Sequence, residues 1–476
     1  MTGCCCLQDN AGKEVCIVKN QQNGFGLWML AWPIFLELFL QTLLGTVDTL
    51  MVSRISDDAV AVVGISNQLF GALTTLFTTF AGGAGILIAQ RIGSGRMTEA
   101  RSIAILGVSI SAALGIAVSI LLFFFAGPIG SMLSISPELQ PLSDIYIAYV
   151  GGGLFLVGMS VALGTAIRNT GNTRGPMYTG IAVNVIHIVL NYGFIFGALG
   201  LPQMGLAGIA ISNLVSRLFG TAVLYVLFSR SFEIRVKVKD FAAFSVRLFR
   251  EILSIAWPLG VNSSSWVFSQ LIIYSFLARL GAEALAARTY LNTLESYCFA
   301  LGFAVAMAGQ IRTAHLYGGG RTQEAYTGAF RTLFVGLAIV TANMAILFLS
   351  GRQLLGFFTN DPVIVSLGVS LLALNLLLQP AKMLNMAMGN ALNAIGDTRF
   401  TMYISVVSMF LISVGCSYLF GIMAGWGLSG IYWCMIADET LRGVLVLRRW
   451  RGRKRLRSKE SEAGFQSCRP EAQASI

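Results

Sequence analysis

Twelve long apolar runs divide this chain of 476 residues. A helix needs about 20 apolar residues to cross a hydrocarbon core about 30 Å thick, and each run is long enough to do so. With 55% hydrophobic and only 12% charged residues, the composition is that of a polytopic membrane protein and not of a water-soluble domain. We therefore predict an all-α fold with twelve transmembrane helices, at residues 28–53, 59–89, 102–126, 142–166, 177–198, 205–228, 252–277, 284–310, 330–350, 363–392, 401–421 and 427–447.

The first run contains polar residues that need an explanation, namely Glu37, Gln41 and Asp48. A carboxylate near the bilayer centre costs at least about 2.5 kcal/mol on insertion scales, so it normally faces a bundle interior or a watery cavity. Eleven residues separate Glu37 from Asp48, so both lie on about the same helix face, roughly 16 Å apart along the axis. They cannot share one ion, but with Gln41 between them they could mark two depths of one hydrated path.

The basic residues alternate between two sets of connections, which predicts the orientation of the chain. The poor set contains only Arg54, Arg279, Arg288 and Arg352. By the positive-inside rule both termini are cytoplasmic, and the net charge of +11 then reflects topology and not a nucleic-acid partner. The rich set contains Arg91, Arg96, Arg101, Arg168, Arg174, Arg230, Arg235, Lys237, Lys239, Arg247, Arg250, Arg312, Arg321, Arg331 and Arg399.

The two ends of the chain are polar. Residues 1–26 are expected to form a disordered cytoplasmic tail, with the triplet at Cys4, Cys5 and Cys6 either acylated, reactive or simply reduced. Residues 448–476 form a basic tail that anchors the topology or binds anionic lipid. The eight cysteines have no CxxC spacing and no histidine spacing of a metal site, so we expect neither disulfides nor zinc.

An internal repeat of 225 residues divides the chain into two halves. Because each half contains six predicted helices, both enter the membrane in the same orientation, as parallel repeats related by an axis along the membrane normal. We expect an N lobe at 27–228, a linker at 229–251 and a C lobe at 252–447, with substrate bound where the lobes meet. The linker could be a strand, although an amphipathic segment at the membrane surface is favoured. The repeat pairs Trp32 with Trp257, Pro33 with Pro258, Arg54 with Arg279, Asn67 with Asn292, Arg96 with Arg321, Glu99 with Glu324, Gly171 with Gly396, Arg174 with Arg399 and Tyr178 with Tyr403.

Three sets of motifs carry a family resemblance: WP and VDT in the first helix, the loops GSGRMTEA and GGGRTQEA, and the loops RNTGNTR and NAIGDTR. Over residues 25–447 the chain resembles the multidrug and toxic compound extrusion (MATE) transporters. The resemblance implies an exporter of the inner membrane that exchanges H+ or Na+ for organic, often cationic, compounds, and that needs no cofactor.

The resemblance also implies roles for residues of the first and fifth helices. Asp48 matches the aspartate that the family uses for cation coupling. In one branch an Asn and an Asp of the fifth helix assist it, and here His187 and Asn191 occupy those positions. Another branch has acids in helices seven and ten, where this chain has none. Coupling ion and stoichiometry therefore cannot be copied from either branch.

Other polar residues of the first half are also candidates for the coupling site. Histidine changes charge near neutral pH, so His187 suits a proton path, although a buried histidine is often only a hydrogen-bonded core residue. Asn191, with Asn184 and Asn213, could coordinate a cation without titrating. The repeat partners of Glu37 and Asp48 are Asn262 and Ile273, so the acids of the first helix are not duplicated.

The second half contains the charged residues Glu295, Lys382, Asp438 and Glu439 within apolar runs. An unpaired lysine there would be costly, so we expect Lys382 to pair with an acid of the twelfth helix. Arg217 is expected to oppose Glu439 between the lobes. Aromatic residues attract organic cations and methionine adapts its shape, which favours a substrate cavity lined by Gln41, Asn67, Trp266, Tyr290, Glu295, Lys382 and Met386.

The sequence therefore predicts a monomeric, multi-pass antiporter of the inner membrane that exports organic cations in exchange for H+ or Na+. Flipping of a lipid-linked or polysaccharide intermediate stays open as an alternative cargo. An enzyme or ATP-driven pump is excluded by the lack of a GxxxxGK[ST] loop, a Ser/His/Asp set or a metal-ligand cluster. Two glycine-rich lobes also favour alternating access over a fixed channel.

Overall fold

A computed structural model describes residues 6–8, 14–16, 26–133, 135, 137–198, 200–233 and 245–453. Eight helices lie in the described part of the first half. They are α1 (Leu27–Val52), α2 (Asp57–Gly93), α3 (Met97–Phe124), α4 (Ala126–Met132), α5 (Gln140–Gly152), α6 (Leu154–Asn169), α7 (Arg174–Phe196) and α8 (Gly205–Ser231).

The second half repeats this order. Its helices are α9 (Val246–Leu280), α10 (Ala282–Gly318), α11 (Thr322–Leu349), α12 (Gly351–Gly356), α13 (Pro362–Ala394), α14 (Thr398–Ser408), which continues as a π-helical segment (Met409–Met423), and α15 (Gly427–Gly452). Outside the helices, two short strands, β1 (Cys6–Gln8) and β2 (Glu14–Cys16), pair antiparallel.

The helices form an all-α membrane protein, as the sequence predicts. Within the described ranges, ten helical segments are long and apolar enough to cross a bilayer, with α5 and α6 forming one span. The other two predicted spans are α9 and α15, which are 35 and 26 residues long and carry more polar and charged residues. Under the 225-residue repeat α9 is the counterpart of α1, and α15 follows α14 as α8 follows α7. Twelve transmembrane helices in two lobes therefore account for the fold.

Each lobe has its own apolar interior. Two clusters of buried side chains lie mainly in the N lobe, around Phe77 and Ile88, and one large cluster lies mainly in the C lobe, around Leu372 and Met388. The cluster around Ile88 also takes in Ile252 and Ile255 of α9. Large apolar side chains such as Leu349 point outward from the helices. Outward-facing apolar side chains suit a lipid environment. The helices also pair their own backbone polar groups, as a lipid environment requires.

Helix α1 contacts both lobes. The side chains of Leu27, Leu30 and Ile34 belong to the apolar cluster of the C lobe, and the rings of Phe39 and Tyr297 lie 5.9 Å apart. The remainder of α1 packs along α7 of the N lobe. One continuous helix therefore joins the part of α1 that packs on the C lobe to the part that packs on α7.

The lobes meet at the end of the molecule where the connections rich in arginine lie, which we call the arginine-rich end. Two equivalent hydrogen bonds join the lobes there. Gln90 Nε2 donates to the Ala394 carbonyl oxygen at 2.7 Å, and His315 Nε2 lies 2.7 Å from the Asn169 carbonyl oxygen. Gln90 and His315 are repeat partners, and so are Asn169 and Ala394. We call these four residues the latch.

Glycine allows the close approach beside the latch. A Cβ atom at Gly93 would overlap the His315 carbonyl oxygen, and one at Gly318 would overlap the Gln90 carbonyl oxygen. These two glycines are also repeat partners, so each lobe presents a bare helix end to the other. The lobes are therefore closed at this end.

The loops that carry the family resemblance are tight turns. Gly171 and Gly396, in RNTGNTR and NAIGDTR, have φ angles of 95° and 87°, which side chains with a Cβ rarely adopt. The predicted linker and tails mostly lie outside the described residues, so their predicted structures stay predictions.

Candidate functional site

Asp48 lies near the end of α1 and faces two residues of α7. Its carboxylate oxygens are 3.1 and 3.2 Å from His187 Nε2, and Asn191 Nδ2 donates to Asp48 Oδ1 at 3.1 Å. His187 and Asn191 are one turn apart on α7, so both reach the same carboxylate. The Asp48 side chain keeps 26% of its exposure, which leaves it accessible to an ion while its two partners are buried.

The second ring nitrogen of His187 faces α8. Its Nδ1 lies 3.3 Å from the hydroxyl oxygens of both Ser212 and Ser216. Each hydroxyl also donates to a backbone carbonyl, Ser212 to His187 and Ser216 to residue 212 of its own helix. Both ring nitrogens therefore have polar partners, which fixes the orientation of the ring. The two serines were not among the sequence candidates.

Asn191 has an amide oxygen without a partner. The residue is fully buried, and among the described residues its Oδ1 accepts no hydrogen bond. The other two asparagine candidates do not reach Asp48: Asn184 donates to the Leu40 carbonyl oxygen at 3.4 Å, and Asn213 accepts from Arg217 at 2.5 Å. The structure thus brings together Asp48, His187 and Asn191, which we call the N-lobe site.

Glu37 is held in an ion pair. Arg168 Nη1 donates to both of its carboxylate oxygens, at 2.8 and 3.0 Å, and both side chains are about 85% buried. Arg168 was predicted to be a loop residue but belongs to the last turn of α6, where the basic group also lies near the helix C-terminus. Gln41 is exposed and has no hydrogen bond within the described ranges. The second depth of a path along α1 is therefore occupied by Arg168.

The C lobe contains a cavity of about 640 Å³. Thr75 of the N lobe lies at its edge, and its other lining residues belong to the C lobe. Four predicted cavity residues line it: Trp266, Glu295, Lys382 and Met386. Of the others, Gln41 and Asn67 are exposed residues of the N lobe, and Tyr290 stacks on Phe358 at 5.3 Å.

Glu295 is the centre of a buried polar network. Its Oε1 accepts from Arg288 Nη1 at 3.0 Å, Asn375 Nδ2 at 2.8 Å and the Tyr432 hydroxyl at 3.3 Å. Gln379 Nε2 lies 3.4 Å from Oε2. Arg288 was counted among the loop residues, but it is buried in α10, two turns before Glu295 on the same face.

A second network surrounds Arg442 of α15. Its Nη2 lies 2.6 Å from Asp438 Oδ2 and 2.8 Å from Glu439 Oε1. Ser408 donates to Asp438 at 2.5 Å, and Asn385 donates to Glu439 at 2.9 Å. All of these residues except Ser408 line the cavity. The sequence prediction overlooked Arg442.

Two predicted pairings are wrong. Lys382 was expected to pair with Asp438 or Glu439, but those acids are occupied by Arg442, and Lys382 Nζ lies 3.7 Å from Glu295 Oε2. Arg217 was expected to oppose Glu439 between the lobes, but it binds Asn213 one turn earlier in α8. Asp438 and Glu439 thus pair with an arginine of their own helix, and Arg217 pairs with an asparagine of its own helix.

The repeat explains why the described cavity lies in one lobe. The repeat partners of Glu37 and Arg168 are Asn262 and Asn393, and both line the cavity. Asn262 Oδ1 has no hydrogen-bond partner among the described residues, while Asn393 accepts from Thr401. At these positions of the N lobe, an ion pair therefore joins two helices. At the equivalent positions of the C lobe, two separate amides face a cavity.

No group of three or more His, Cys, Asp or Glu side chains that could hold a metal ion occurs in the described part of the chain. The N-lobe site offers one carboxylate, one imidazole and one amide. Such a set can bind a proton, or a single monovalent cation with the help of water, but it is not a structural metal centre.

A model of the MatE family matches the chain twice, over residues 33–193 and 258–419. The two matches begin 225 residues apart, which is the offset of the internal repeat. The family signature is therefore present once in each lobe.

Two curated relatives cover nearly the whole chain. An uncharacterized transporter, YisQ of Bacillus subtilis, is 32% identical over 441 residues, which are 93% of this chain and 97% of that protein. The probable multidrug resistance protein NorM of Thermotoga maritima is 27% identical over 421 residues, covering 88% of this chain and 90% of that protein.

Solved structures share the fold. A multidrug resistance MATE family transporter of the MOP superfamily, in an outward-facing conformation, superposes with a TM-score of 0.82 at 20% identity, covering 90% of this chain and 96% of that one. A MOP superfamily transporter from Pyrococcus furiosus, described as having a binding pocket of reverse polarity, gives 0.81 at 20% identity, with 91% and 96% covered.

Proposed function

Because the chain belongs to the MatE family of membrane transporters, we propose that it is a secondary active multidrug antiporter that exchanges protons for organic, mainly cationic, compounds. The observation that carries this proposal is the contact between Asp48 and His187. It joins an acid inside a transmembrane helix to one of the two histidines of the chain.

The geometry of the N-lobe site favours H+ over Na+. Both described hydrogen-bond partners of the Asp48 carboxylate are nitrogen atoms, of His187 and Asn191. Transporters bind Na+ through oxygen atoms, often backbone carbonyls, whereas a carboxylate next to an imidazole readily holds and passes a proton. Na+ remains the second candidate, with Asp48 and the unpartnered Asn191 Oδ1 as its ligands.

Asn191 can serve both charge states of Asp48. With Asp48 ionised, the Asn191 amide nitrogen donates to it, as observed. When Asp48 gains a proton on Oδ2, its hydroxyl can donate to the unprotonated His187 Nε2 at 3.2 Å, while Asn191 Nδ2 continues to donate to Oδ1.

Helix α1 connects this event to the lobes. One end of α1 carries Asp48, and the other packs Leu30 and Ile34 into the C lobe. Loss of the Asp48–His187 attraction on protonation frees the end of α1 from α7. The contact with the C lobe then shifts, and the latch opens or closes to give alternating access.

The cavity supports organic cations as substrates. Trp266 and Phe299 are half-exposed aromatic residues along its wall, and Asp438 and Glu439 supply acidic groups. Exchange of one proton for one monovalent cation moves no net charge, so the pH gradient drives it at about 1.4 kcal/mol per unit. Divalent substrates would add about 2.3 kcal/mol per charge per 100 mV of membrane potential.

Placement in the membrane is part of the same proposal. The protein is a multi-pass protein of the inner membrane with both termini in the cytoplasm, and it works as a monomer because one chain supplies the N-lobe site, the cavity and the latch. The latch then lies at the cytoplasmic side, and the described conformation opens outward. Lipid-linked cargo is the weaker alternative, since three cationic side chains of the cavity are matched by three acids.

Ethidium efflux from intact cells or inverted vesicles tests the proposal when the H+ and Na+ gradients are collapsed separately. Collapse of the H+ gradient should abolish transport by the wild type, and collapse of the Na+ gradient should leave it unchanged. Transport that stops only when the Na+ gradient is removed would mean that the N-lobe site binds Na+ and not H+. Asn191→Ala and His187→Ala separate the parts of the site, because export that survives both would confine coupling to Asp48.

A further inference from the structure

Six charged side chains line the C-lobe cavity, and they form two groups of opposite net charge. Arg288, Glu295 and Lys382 make the first group, with two cations and one acid. Arg442, Asp438 and Glu439 make the second, with one cation and two acids. Charges in a membrane protein are costly unless they are paired or used, so a surplus charge at each site needs an explanation.

The surplus cation of the first group is Lys382. Glu295 already receives hydrogen bonds from Arg288, Asn375, Tyr432 and Gln379, so its charge and both of its oxygens are satisfied without the lysine. The Lys382 ammonium lies 3.7 Å from Glu295 Oε2, beyond hydrogen-bond distance. Within the described part of the chain it donates no hydrogen bond, and its side chain is 20% exposed to the cavity.

The surplus acid belongs to the second group. Arg442 divides one positive charge between Asp438 and Glu439. Ser408 and Asn385 complete the hydrogen bonding of these acids with neutral donors, which leaves the negative charge uncompensated. Glu439 is the more accessible of the two carboxylates, at 11% exposure against 3%.

The two groups lie on one wall of the cavity. Lys382 and Asn385 are three residues apart on α13, so they share a face within one helical turn. Because Asn385 holds Glu439, the positive and negative ends are neighbours and face the same space. Trp266, Phe299 and Met386 supply apolar lining nearby.

We propose that Lys382 sets substrate specificity by binding an acidic group, so that the cavity prefers aromatic compounds that carry both an amine and an acid. The acidic group of such a compound pairs with the Lys382 ammonium, and its amine lies at Glu439 and Asp438. This inference deepens the proposed function and rests on it. A simple cation gains only the second contact and is repelled by Lys382, whereas a compound with both charges gains two contacts.

The test compares two probes that differ only in the acid. Norfloxacin carries a carboxylate and an amine, and its ethyl ester carries only the amine. Binding of each to the purified full-length protein in lipid nanodiscs is measured by calorimetry, for the wild type and for Lys382→Gln. Removal of one charge-assisted contact should weaken norfloxacin binding at least about tenfold. The ester should bind Lys382→Gln as tightly as the wild type, or more tightly.

Two further variants protect the result from a general loss of structure. Lys382→Arg keeps the positive charge and should keep the preference for norfloxacin over its ester. Glu439→Gln should weaken both probes by a similar factor, because both carry the amine. Gel filtration confirms that each variant stays monodisperse.

Two outcomes overturn the inference: Lys382→Gln weakens norfloxacin and its ester equally, or it changes neither. Failure of the proposed function looks different. Suppose that the wild type binds norfloxacin more tightly than its ester but exports neither compound when a proton gradient is imposed. The assignment of Lys382 would then stand, and the proposed antiport would be wrong.

Discussion

His187 Nε2 lies 3.1 Å from Asp48 Oδ1, and the other ring nitrogen of His187 faces the Ser212 and Ser216 hydroxyls. Asp48 thus has an ionisable partner, although Asn191 of α7, the fifth transmembrane helix, occupies the position at which the family resemblance predicts a carboxylate. The C lobe has no equivalent pair, because the repeat partner of Asp48 is Ile273, which is buried in the apolar cluster. A contact of this kind between an acid and an imidazole is therefore confined to the N lobe.

Replacement of the two histidines separates coupling from closure. His187→Gln keeps a hydrogen-bond donor beside Asp48 but cannot accept and release a proton, so ethidium efflux driven by an imposed pH gradient should fall. His315→Gln is the matched control, because glutamine at the equivalent position, Gln90, already makes the same contact. Ethidium efflux with the pH gradient imposed and then collapsed measures both variants, and wild-type efflux by His187→Gln would contradict the role of the imidazole.

Glycine at the latch should be required for closure. The Cβ of Gly318→Ala would overlap the Gln90 carbonyl oxygen, and such overpacking costs typically about 1–3 kcal/mol. The ratio of the closed to the open state at this end should then fall about five- to 150-fold, which spin-label distances across the arginine-rich end can measure. Gly82→Ala is the control, since its Cβ would meet no atom within 4 Å. Equal distance distributions for both variants would argue against the latch.

The Glu37–Arg168 ion pair should stabilise the N lobe. Glu37→Gln leaves Arg168 without its counter-charge, at a cost of about 2–3 kcal/mol, near the lower limit for buried pairs because both side chains are slightly exposed. The double variant Glu37→Asn with Arg168→Asn copies the C-lobe residues Asn262 and Asn393 and should lose less. Thermal unfolding in detergent compares them, and a double variant less stable than Glu37→Gln would refute this.

Asp397 should stabilise the arginine-rich end above acidic pH. Partial burial raises the pKa of its carboxyl, but hydrogen bonds from Arg449 and Arg453, at 3.0 and 2.7 Å, outweigh burial and lower the pKa below its ordinary value. A lowered pKa means that this stabilisation is complete above the ordinary aspartate range and is lost as the pH falls through the lowered pKa.

The measurement for Asp397 is the melting temperature between pH 7 and pH 3. Asp397→Asn should melt at a lower temperature than the wild type at pH 7, and the difference should shrink toward pH 3. Asp361, whose carboxylate caps α13, serves as a comparison site away from these arginines. A constant difference across the range would mean that Asp397 acts through packing and not through its charge.

The repeat and the apolar runs were sufficient to predict the fold. Transmembrane spans depend on local composition, and the offset of 225 residues reappears as the spacing of the two family matches. The contacts of the Asp48 carboxylate could not be predicted from a local pattern, because 139 residues separate it from His187. Here the resemblance indicated the position in the fifth helix, and the structure supplied the contact.

The errors concern the choice of partner for buried charges. Arg442 follows Asp438 by four residues and Glu439 by three, which is a spacing visible in the sequence that would have removed both acids as partners for Lys382. Arg288 precedes Glu295 by seven residues and could have been found in the same way. The Glu37–Arg168 pair offers no local pattern, because 131 residues separate its members.

Proton release on substrate binding tests the central claim most directly. Purified protein in weakly buffered detergent solution is mixed with ethidium while a pH indicator records released protons. If Asp48 exchanges its proton for substrate, the wild type should release protons on binding and Asp48→Asn should release none while still binding ethidium. Equal proton release by Asp48→Asn and the wild type would show that the exchanged proton belongs to another group.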